Sequence, residues 1–409
     1  MPSPIKRLFA GVATTPLPLA RDLELSGYAA RLQPSVGLHD PVSVTALALQ
    51  SAKVLLVMIA VDALGFTLQT ARSLQERMAR EITDRQLEIC LAATHSHSAP
   101  ASMNLRACGK VNPQWLETAG EVIVQTALQS IENLQPARLG AAMAEVPGVA
   151  INRRKSTFID EELVLWRIDQ SDGTPLAAAV NFACHPVVYP PENKLISADY
   201  PGALRRELAA AINAPVLFLT GAAGDINPAH RGNDEAILHT AQPLAKAAAG
   251  LWHATETSAD IALSGRSSVL ELPLQDPLPR ATLEAFAADD SFPARRDWAR
   301  QNLQIPEQIS TAPCAVQTWQ VGNNVLVSAG CELFCSLGKR VKSTFKRNRI
   351  NSVMIATYAG SNLGYVPDAA AYARGGYEVD MAHYYYDQPA CVAPAAGEML
   401  IRAMTQGDK

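Results

Sequence analysis

The sequence predicts an α/β fold, with layered mixed β-sheets, flanking helices and a functional site in the loops at strand ends. Two observations support this fold class. Residues 54–62 form a continuous apolar run, which is typical of a strand buried on both faces of a sheet. Residues 67–84 then carry apolar side chains at helical spacing. Because such strands and helices alternate along the chain, we expect layers of both.

The same reasoning assigns elements along most of the chain. The predicted strands are 54–62, 87–94, 138–146, 162–169, 177–185, 216–221, 262–274, 315–320, 325–328 and 353–358. The predicted helices are 67–84, 113–131, 199–212, 235–253, 332–345 and 394–404. Residues 275–312 are rich in Pro, Asp and Ala and are predicted to form a surface insertion. No repeat or linker divides the sequence, so we expect one domain over residues 1–409.

Composition narrows the class of protein. The chain has 409 residues, of which 48% are hydrophobic and 18% charged, so it can bury a large core. A formal charge of −4 without a long basic run gives no indication of a nucleic-acid or membrane surface. Seven cysteines in a chain of this length do not indicate a disulfide scaffold. None of these features indicates an oligomeric state.

The N-terminal region bears on the expected compartment. Residues 1–7 carry a weak positive charge, but the run 8–20 is interrupted by Thr and Pro residues. Such a run is a poor core for a signal peptide. No apolar stretch is long enough to span a bilayer as a helix. We therefore expect a cytoplasmic protein without a transmembrane segment.

Histidines at the ends of predicted strands are the first indication of chemistry. His95 and His97 follow the strand 87–94 and, if the chain is still extended there, leave the same face of the sheet. Imidazoles at a strand end suit metal binding or proton transfer, although two ordinary loop histidines are an alternative. His185 ends another apolar strand, and Glu332 follows a third. Two histidines and a carboxylate suit a catalytic zinc site.

Five short motifs occur in an order that resembles a known family. They are Thr94-His-Ser-His-Ser-Ala-Pro100, Asn152-Arg-Arg154, Phe182-Ala-Cys-His185, Ala329-Gly-Cys-Glu332, and a tyrosine pattern from Tyr365 through Tyr372 to Tyr377-Glu378. They resemble the motifs of the neutral (non-lysosomal) ceramidases, which are zinc-dependent amide hydrolases. The likeness runs from about residue 10 to about residue 379. The family's large members carry an extra C-terminal β domain, which we expect this shorter chain to lack.

The resemblance implies a set of metal ligands. Zinc would be held by His95, His185, Glu332 and Tyr365, and a tyrosine can serve because a metal lowers the pKa of a bound oxygen acid. Each ligand has a structural alternative. His185 could be a satisfied core histidine, Glu332 an acid favoured at a helix N-terminus, and Tyr365 a core aromatic.

The resemblance also implies residues that act on the substrate, namely His97, Arg153 and Tyr377. His97 or Tyr377 would donate to the developing oxyanion, and His97 could transfer a proton to the leaving nitrogen. Arg153 would bind an anionic or strongly polar group, unless it is only a surface arginine of a basic triplet. A zinc-dependent esterase or lactonase, and a non-catalytic metal-binding homologue, are the alternatives to an amide hydrolase.

Several departures from the family motifs bear on the substrate. The family's G-D-x-S-P loop carries a serine close to the metal that is associated with activity on ceramide, and here Asn227 takes its place. Asparagine has no nucleophilic hydroxyl, so we expect a smaller, more polar acyl amide than ceramide. The alternative is that Asn227 is only a turn residue before Pro228. Asp225 and Asp199 are predicted to lie beside the ligands or in turns.

Overall fold

The computed structural model describes residues 7–305 and 309–406. The weakly basic start at residues 1–6 lies outside the described residues, as do residues 306–308 of the expected insertion. No helix in the described ranges combines the length and hydrophobicity needed to cross a membrane.

Eighteen strands and ten α-helices are numbered here in chain order, over the described residues. The strands are β1 (Leu8–Pro16), β2 (Gly37–Leu38), β3 (Ser43–Ser51), β4 (Val54–Val61), β5 (Gln86–Ala93), β6 (Gln135–Glu145), β7 (Ala150–Asn152), β8 (Glu162–Gln170), β9 (Pro175–Phe182), β10 (Leu195–Ile196), β11 (Val216–Thr220), β12 (Ile226–Pro228), β13 (Leu263–Pro273), β14 (Thr311–Val321), β15 (Asn324–Ala329), β16 (Glu332–Leu333), β17 (Ser352–Ala356) and β18 (Tyr365–Val366). The helices are α1 (Leu68–Glu81), α2 (Pro113–Glu132), α3 (Asp199–Ile212), α4 (Asp234–Ala254), α5 (Arg280–Ala288), α6 (Pro293–Asn302), α7 (Cys335–Arg347), α8 (Ala369–Arg374), α9 (Tyr377–Asp380) and α10 (Ala396–Gln406), with a 3₁₀ turn at Ala382–Tyr384.

An eight-stranded mixed sheet forms the centre of the fold, in the order β11-β9-β8-β6-β1-β3-β4-β5. The strand β4 shows how it is buried on both faces. Leu55, Val57 and Ile59 pack in one apolar cluster with α1 and α2. Leu56 and Met58, which alternate with them, pack in the cluster on the opposite face. The continuous apolar run predicted as a central strand therefore has this role.

A four-stranded sheet, β13-β14-β15-β17, packs on that opposite face. Trp319, Leu326 and Met354 point from it into the core between the two sheets. Val327 and Ile355 alternate with them and pack against α7 and α10. The order of layers is helices, sheet, sheet and helices, which confirms the predicted fold class of layered mixed sheets with flanking helices.

Three crossover units determine where a functional site can form. The units β4–α1–β5, β9–α3–β11 and β15–α7–β17 each join two neighbouring parallel strands through a helix. Loops at the carboxyl ends of such strands are where α/β sheets assemble sites. Every histidine and carboxylate predicted to bind metal follows one of the strands β5, β9 and β15.

Two of the differences from the predicted secondary structure concern the strand β3 and the position of Glu332. The apolar pattern does not identify β3, whose Ala46 and Ala48 have weak strand preference. This strand forms because β1 and β4 pair with both of its edges. Glu332 was expected to open a helix, but it lies in β16 and pairs with Tyr365 of β18. The helix α7 begins only at Cys335.

The segment expected to be a surface insertion contains structure of its own. Its described part holds α5 and α6, and Pro293 occupies the first turn of α6. Trp298 of α6 is 1% exposed, and its indole N–H donates to the carbonyl of Gln388 over 2.8 Å. Its ring also packs on that of Tyr384, with centroids 4.6 Å apart. These helices therefore cover the segment near residues 382–388.

Candidate metal centre

Four polar side chains meet where parallel strands end. His95 and His97 follow β5, His185 follows β9, and Glu332 follows β15. His95, His185 and Glu332 are each 1% exposed. Residues that are far apart in sequence thus meet where strands of the two sheets end. These four side chains are here called the metal cluster.

The polar atoms of the metal cluster face one another at short distances. Nε2 of His97 lies 3.3 Å from Nε2 of His95. Oε2 of Glu332 lies 3.5 Å from Nε2 of His95 and 3.5 Å from Nε2 of His185. The three imidazoles offer ligand atoms within 4.8 Å of one another, and the described ranges contain no other such group of histidines, cysteines or acids. The cluster could hold a metal ion.

Backbone carbonyls orient two of the three imidazoles. Nδ1 of His95 bonds to the carbonyl of Leu64 over 2.5 Å, and Nδ1 of His185 to that of Ala223 over 2.9 Å. Because a carbonyl only accepts, each Nδ1 carries the proton and each Nε2 keeps its lone pair for the cluster. The buried Nδ1 of His97 has no hydrogen-bond partner among the described residues. No hydrogen bond at Nδ1 therefore fixes the tautomer of the His97 ring.

A turn, rather than an extended strand, brings His95 and His97 together. His95 has a φ of 67°, in the left-handed region, so the expected extended chain is wrong at this residue. Its amide donates to the carbonyl of Ala63 over 2.9 Å, which holds the turn against the end of β4. Such a backbone is uncommon for residues other than glycine and persists where the surroundings impose it.

The donor atoms fit a tetrahedral metal. Zinc–nitrogen bonds of about 2.0–2.1 Å place tetrahedral ligand atoms roughly 3.3 Å apart. Oε2 of Glu332 lies 3.5 Å from Nε2 of His95 and from Nε2 of His185, which is close to this value. Nε2 of His185 and Oε2 of Glu332 are buried without a hydrogen-bond partner among the described residues. A buried polar atom without a partner raises the free energy of the folded state, and a bound cation would pair with both atoms.

The charge states also suit metal binding. Burial, together with the neighbouring His95, lowers the pKa of His97 and of His185 well below the usual value. Both rings are therefore neutral near pH 7. Burial acts to raise the pKa of Glu332, but the imidazoles of His95 and His185 outweigh it and the pKa is lowered to about 2. The imidazoles of His97 and His185 are thus neutral, and the carboxylate of Glu332 is ionised.

Three tyrosines surround the metal cluster. Tyr365 is paired with Glu332 between β18 and β16, and burial raises the pKa of its phenol well above the usual value. The hydroxyl of Tyr386 donates to Oε1 of Glu332. The ring of Tyr358 stacks on that of His95, with centroids 3.8 Å apart. The glutamate and one histidine are therefore each held by an aromatic neighbour.

The residues predicted to act on the substrate gather on one side of the cluster. Nε of Arg153 donates to Oε1 of Glu378 over 2.8 Å, and its Nη1 reaches Oδ1 of Asn227 at 3.5 Å. The guanidinium carbon lies 5.3 Å from the ring centre of Tyr365. The ring of Tyr377 lies 5.7 Å from the same ring. Arg153, Tyr377 and Asn227 are thus neighbours of Tyr365 or of one another.

The two predicted aspartates bind backbone and amide groups and not imidazoles. Asp225 accepts from the amide of Cys335 over 2.8 Å and from Nδ2 of Asn152 over 2.7 Å. Asp199 accepts from three backbone amides in the segment 188–200. Burial raises the pKa of Asp199 to about 6. Both aspartates fix the segments that carry the site, while carbonyls orient the imidazole rings.

Four residues at the site receive no predicted role from the sequence: Arg31, Tyr358, Glu378 and Tyr386. Arg31 donates from Nη1 to the carbonyl of His97 over 2.7 Å and so fixes the histidine loop. The tyrosine run 384–386 is the one local signal that could have indicated Tyr386. The other three depend on contacts between distant segments.

Comparison with known proteins identifies the family that this site resembles. The sequence profile of the family described as neutral/alkaline non-lysosomal ceramidase, N-terminal, matches residues 18–215. That range includes His95, His97, Arg153 and His185. The predicted resemblance to neutral ceramidases is confirmed.

Two relatives are neutral ceramidases of Dictyostelium discoideum. Neutral ceramidase B is 25% identical over 175 residues, which is 36% of this chain and 24% of that protein. Neutral ceramidase A is 27% identical over 134 residues, which is 28% of this chain and 19% of that protein. The alignments therefore span about a quarter or less of the length of these relatives.

Solved ceramidase structures share the fold. The neutral ceramidase of Pseudomonas aeruginosa superimposes with a TM-score of 0.76 over 97% of this chain and 73% of that chain, at 16% identity. A ceramidase complexed with C2 gives a TM-score of 0.75 over 97% of this chain and 74% of that chain, also at 16% identity. The architecture beyond residue 215 is thus ceramidase-like as well.

Proposed function

We propose that the protein is a zinc-dependent hydrolase that cleaves a carbon–nitrogen amide bond in a small or acylated substrate. The observation that carries this proposal is the set of buried ligand atoms on His95, His97, His185 and Glu332, which face one another. The likeness to ceramidases supports the amide bond as the target.

His95, His185 and Glu332 would hold the metal, with Tyr365 as the fourth ligand. The carbonyl contacts of the two histidines support this assignment, because they turn both Nε2 atoms toward the cluster. The pairing of Tyr365 with Glu332 keeps the tyrosine on the neighbouring strand. When bound, zinc polarises the scissile carbonyl and activates the attacking water.

His97 would move the proton. Its Nε2 faces the metal cluster, and its buried Nδ1 lacks the carbonyl partner that fixes the other two rings. The ring can therefore accept a proton from the attacking water without breaking an existing hydrogen bond. It can then deliver that proton to the leaving nitrogen, which must be protonated before the amine departs.

Tyr377 and Arg153 would bind the reacting group. Although Tyr377 is 40% exposed, desolvation of its phenol and the nearby Glu332 carboxylate raise its pKa, which keeps its proton available for donation to the carbonyl oxygen. Arg153 is held by Glu378 and still presents an unpaired Nη2. Asn227 lies beside Arg153, where an amide oxygen and amino group suit a polar substrate better than a long-chain lipid.

The test is metal analysis followed by a substrate panel. We expect about one zinc per chain, loss of activity on chelation and recovery with zinc. The panel compares small polar amides with matched esters, lactones and a short-chain ceramide. Preference for esters or lactones would replace the amide assignment. Ceramide turnover as efficient as that of the best small amide would overturn the proposed substrate size.

A further inference from the structure

A cavity of about 570 Å³ lies beside the metal cluster and is lined by three arginines. Its lining residues are Arg153, Arg154, Arg374, Gly375, Tyr377 and Glu378. Tyr377 links this cavity to the cluster, because its ring packs on that of Tyr365. Three guanidinium groups and one carboxylate give the lining a net positive charge.

The one carboxylate of the lining is already paired. Glu378 is 4% exposed and accepts from Nε of Arg153 over 2.8 Å and from Nη1 of Arg154. Arg154 also donates to the carbonyl of Gly375 over 2.6 Å, which ties it into the wall of the cavity. Glu378 therefore balances one of the two arginines that it contacts, and the rest of the positive charge has no partner in the wall.

All three guanidinium groups keep donors without a partner among the described residues, and Nε of Arg154 is one of them. Nη2 of Arg153 is buried and has no hydrogen-bond partner among the described residues. Arg374 is exposed and forms no ion pair or side-chain hydrogen bond with any residue in the described ranges. Asp380, another acid of this segment, accepts from the backbone amide of Gly376 over 2.6 Å and is not paired with Arg374 in the described residues.

We propose that this cavity binds a carboxylate of the substrate, so that the preferred substrates are N-acyl amino acids and not neutral amides. The inference rests on the proposed amide hydrolysis at the adjoining metal cluster. An arginine fork recognises a carboxylate through two parallel hydrogen bonds, and Arg153 and Arg374 have the donors for it. A neutral amide offers a single uncharged carbonyl acceptor, so it cannot form the two charge-assisted hydrogen bonds that a carboxylate forms with guanidinium groups.

One arginine of the wall, Arg154, is a departure of this chain from the general motif. The family's Asn-Arg-Ser reads Asn152-Arg153-Arg154 here, so an arginine replaces the serine. Gly375 and Gly376 follow Arg374 with φ values of 61° and 108°, a backbone that favours glycine. A Cβ on Gly376 would lie 2.9 Å from Nη1 of Arg154, so the glycine also lets the chain approach that arginine.

Binding is measured first, because it does not require turnover. N-octanoylglycine and N-octanoylglycinamide differ only in the carboxylate, and each is titrated into zinc-loaded and metal-free protein by calorimetry. We expect the acid to bind at least about tenfold more tightly, with and without metal. Metal-free protein matters here because zinc cannot then hold the carboxylate. Equal affinity for the two ligands in metal-free protein would overturn the proposal.

Substitution of the free arginine tests the position of the site. Arg374→Gln should reduce the acid-over-amide ratio at least about threefold, whereas Arg374→Lys keeps the charge and should keep most of the ratio. Arg280→Gln is the matched control, since Arg280 lies on α5, outside this cavity, with a side chain that is 75% exposed. An unchanged ratio in Arg374→Gln would exclude this cavity.

Hydrolysis of the same two compounds then separates this inference from the proposed function. A binding preference without hydrolysis of either compound would refute the amide hydrolase and leave the carboxylate site intact. Equal hydrolysis of both, with equal binding, would refute the carboxylate site and leave the hydrolase intact. Faster hydrolysis of the acid, reduced in Arg374→Gln, is the result expected if both are correct.

Discussion

The site has two halves that the fold holds in different ways. The metal half comprises His95, His185 and Glu332, and the outer half comprises Arg374 and Tyr377 with the segments that carry them. In the metal half, His95, His185 and Glu332 lie at strand ends, are 1% exposed and are held by backbone or tyrosine contacts. In the outer half, Tyr377 is 40% exposed and lies on the four-residue helix α9. Arg374 ends the six-residue helix α8, next to two glycines with positive φ.

This difference indicates a division of tasks. A metal site needs ligands fixed to within a fraction of an ångström, and the sheet ends provide that rigidity. A substrate site that distinguishes between similar amides can differ between relatives if it lies on short segments outside the sheets. Damage to one half should therefore leave the other half measurable, and the following predictions test that separation.

Loss of a ligand should have the largest effect. His185→Ala removes the ring whose Nε2 faces Glu332, and we expect zinc content to fall from about one per chain by more than tenfold at matched free zinc. Far-UV circular dichroism should stay unchanged, because β9 is held by its neighbours. His253→Ala, an exposed histidine at the end of α4, is the control. Full zinc occupancy in His185→Ala would show that His185 is not a ligand.

His97→Ala and Tyr377→Phe should separate chemistry from metal binding. We expect both variants to keep zinc and to lose turnover by about a hundredfold or more, because each removes one proton-transfer or hydrogen-bonding group. Zinc content and kcat are measured on the same preparations. Loss of zinc in His97→Ala would make His97 a ligand, and wild-type turnover in Tyr377→Phe would remove its proposed role.

Gly376→Ala should affect the outer half alone. Its φ of 108° is strained for any residue with a Cβ, at a cost of about 1–3 kcal/mol. We expect kcat/KM to fall by roughly tenfold as Tyr377 shifts, while zinc content stays at the wild-type level. Gly250→Ala in α4 is the control, since its Cβ would meet nothing within 4 Å. A decrease in zinc content in Gly376→Ala would contradict the separation of the halves.

Acid should destabilise the packing of α6 on residues 382–388, and this effect should be smaller than those of the substitutions above. Burial lowers the pKa of His383 to about 4, and its ring packs on Trp298. The pKa of His383 in the folded state is below the unfolded value near 6.5. The neutral, buried ring therefore contributes its full stability above pH 6.5, and that stability is lost as the pH falls toward 4. We expect the free energy of unfolding in urea to fall by on the order of 1 kcal/mol over that range. His383→Asn should show a smaller fall, and an identical pH dependence would exclude His383.

The metal half could be predicted from the sequence to a large extent. Apolar runs identify β4, β5 and β9, and His95, His97 and His185 follow two of these strands directly. Glu332 was a candidate because it follows an apolar strand, whereas Tyr365 needed the resemblance to a family, because it lies in no long periodic element. The expectation of a helix starting at Glu332 was wrong, since the pairing with Tyr365 depends on a strand distant in sequence.

The outer half could not be predicted beyond single residues. Arg153 and Glu378 are 225 positions apart, and the ion pair between them depends on how two loops pack. In the metal half, Tyr358 likewise stacks on His95 from the segment after β17 of the other sheet, which no local pattern records. The positive φ of His95 likewise follows from contacts with the end of β4 and not from its own residue type.

The position of the metal cluster has a consequence for the durability of the whole fold. Two of its proposed ligands, His95 and His185, follow strands of the eight-stranded sheet, whereas Glu332 follows a strand of the four-stranded sheet. A bound ion would therefore act as a cross-link between the sheets. Mass action then makes the melting temperature depend on free zinc, with about 4 kcal/mol of added stability at a thousandfold excess over Kd. Depletion of free zinc would therefore shorten the lifetime of the folded protein as well as abolish its proposed activity.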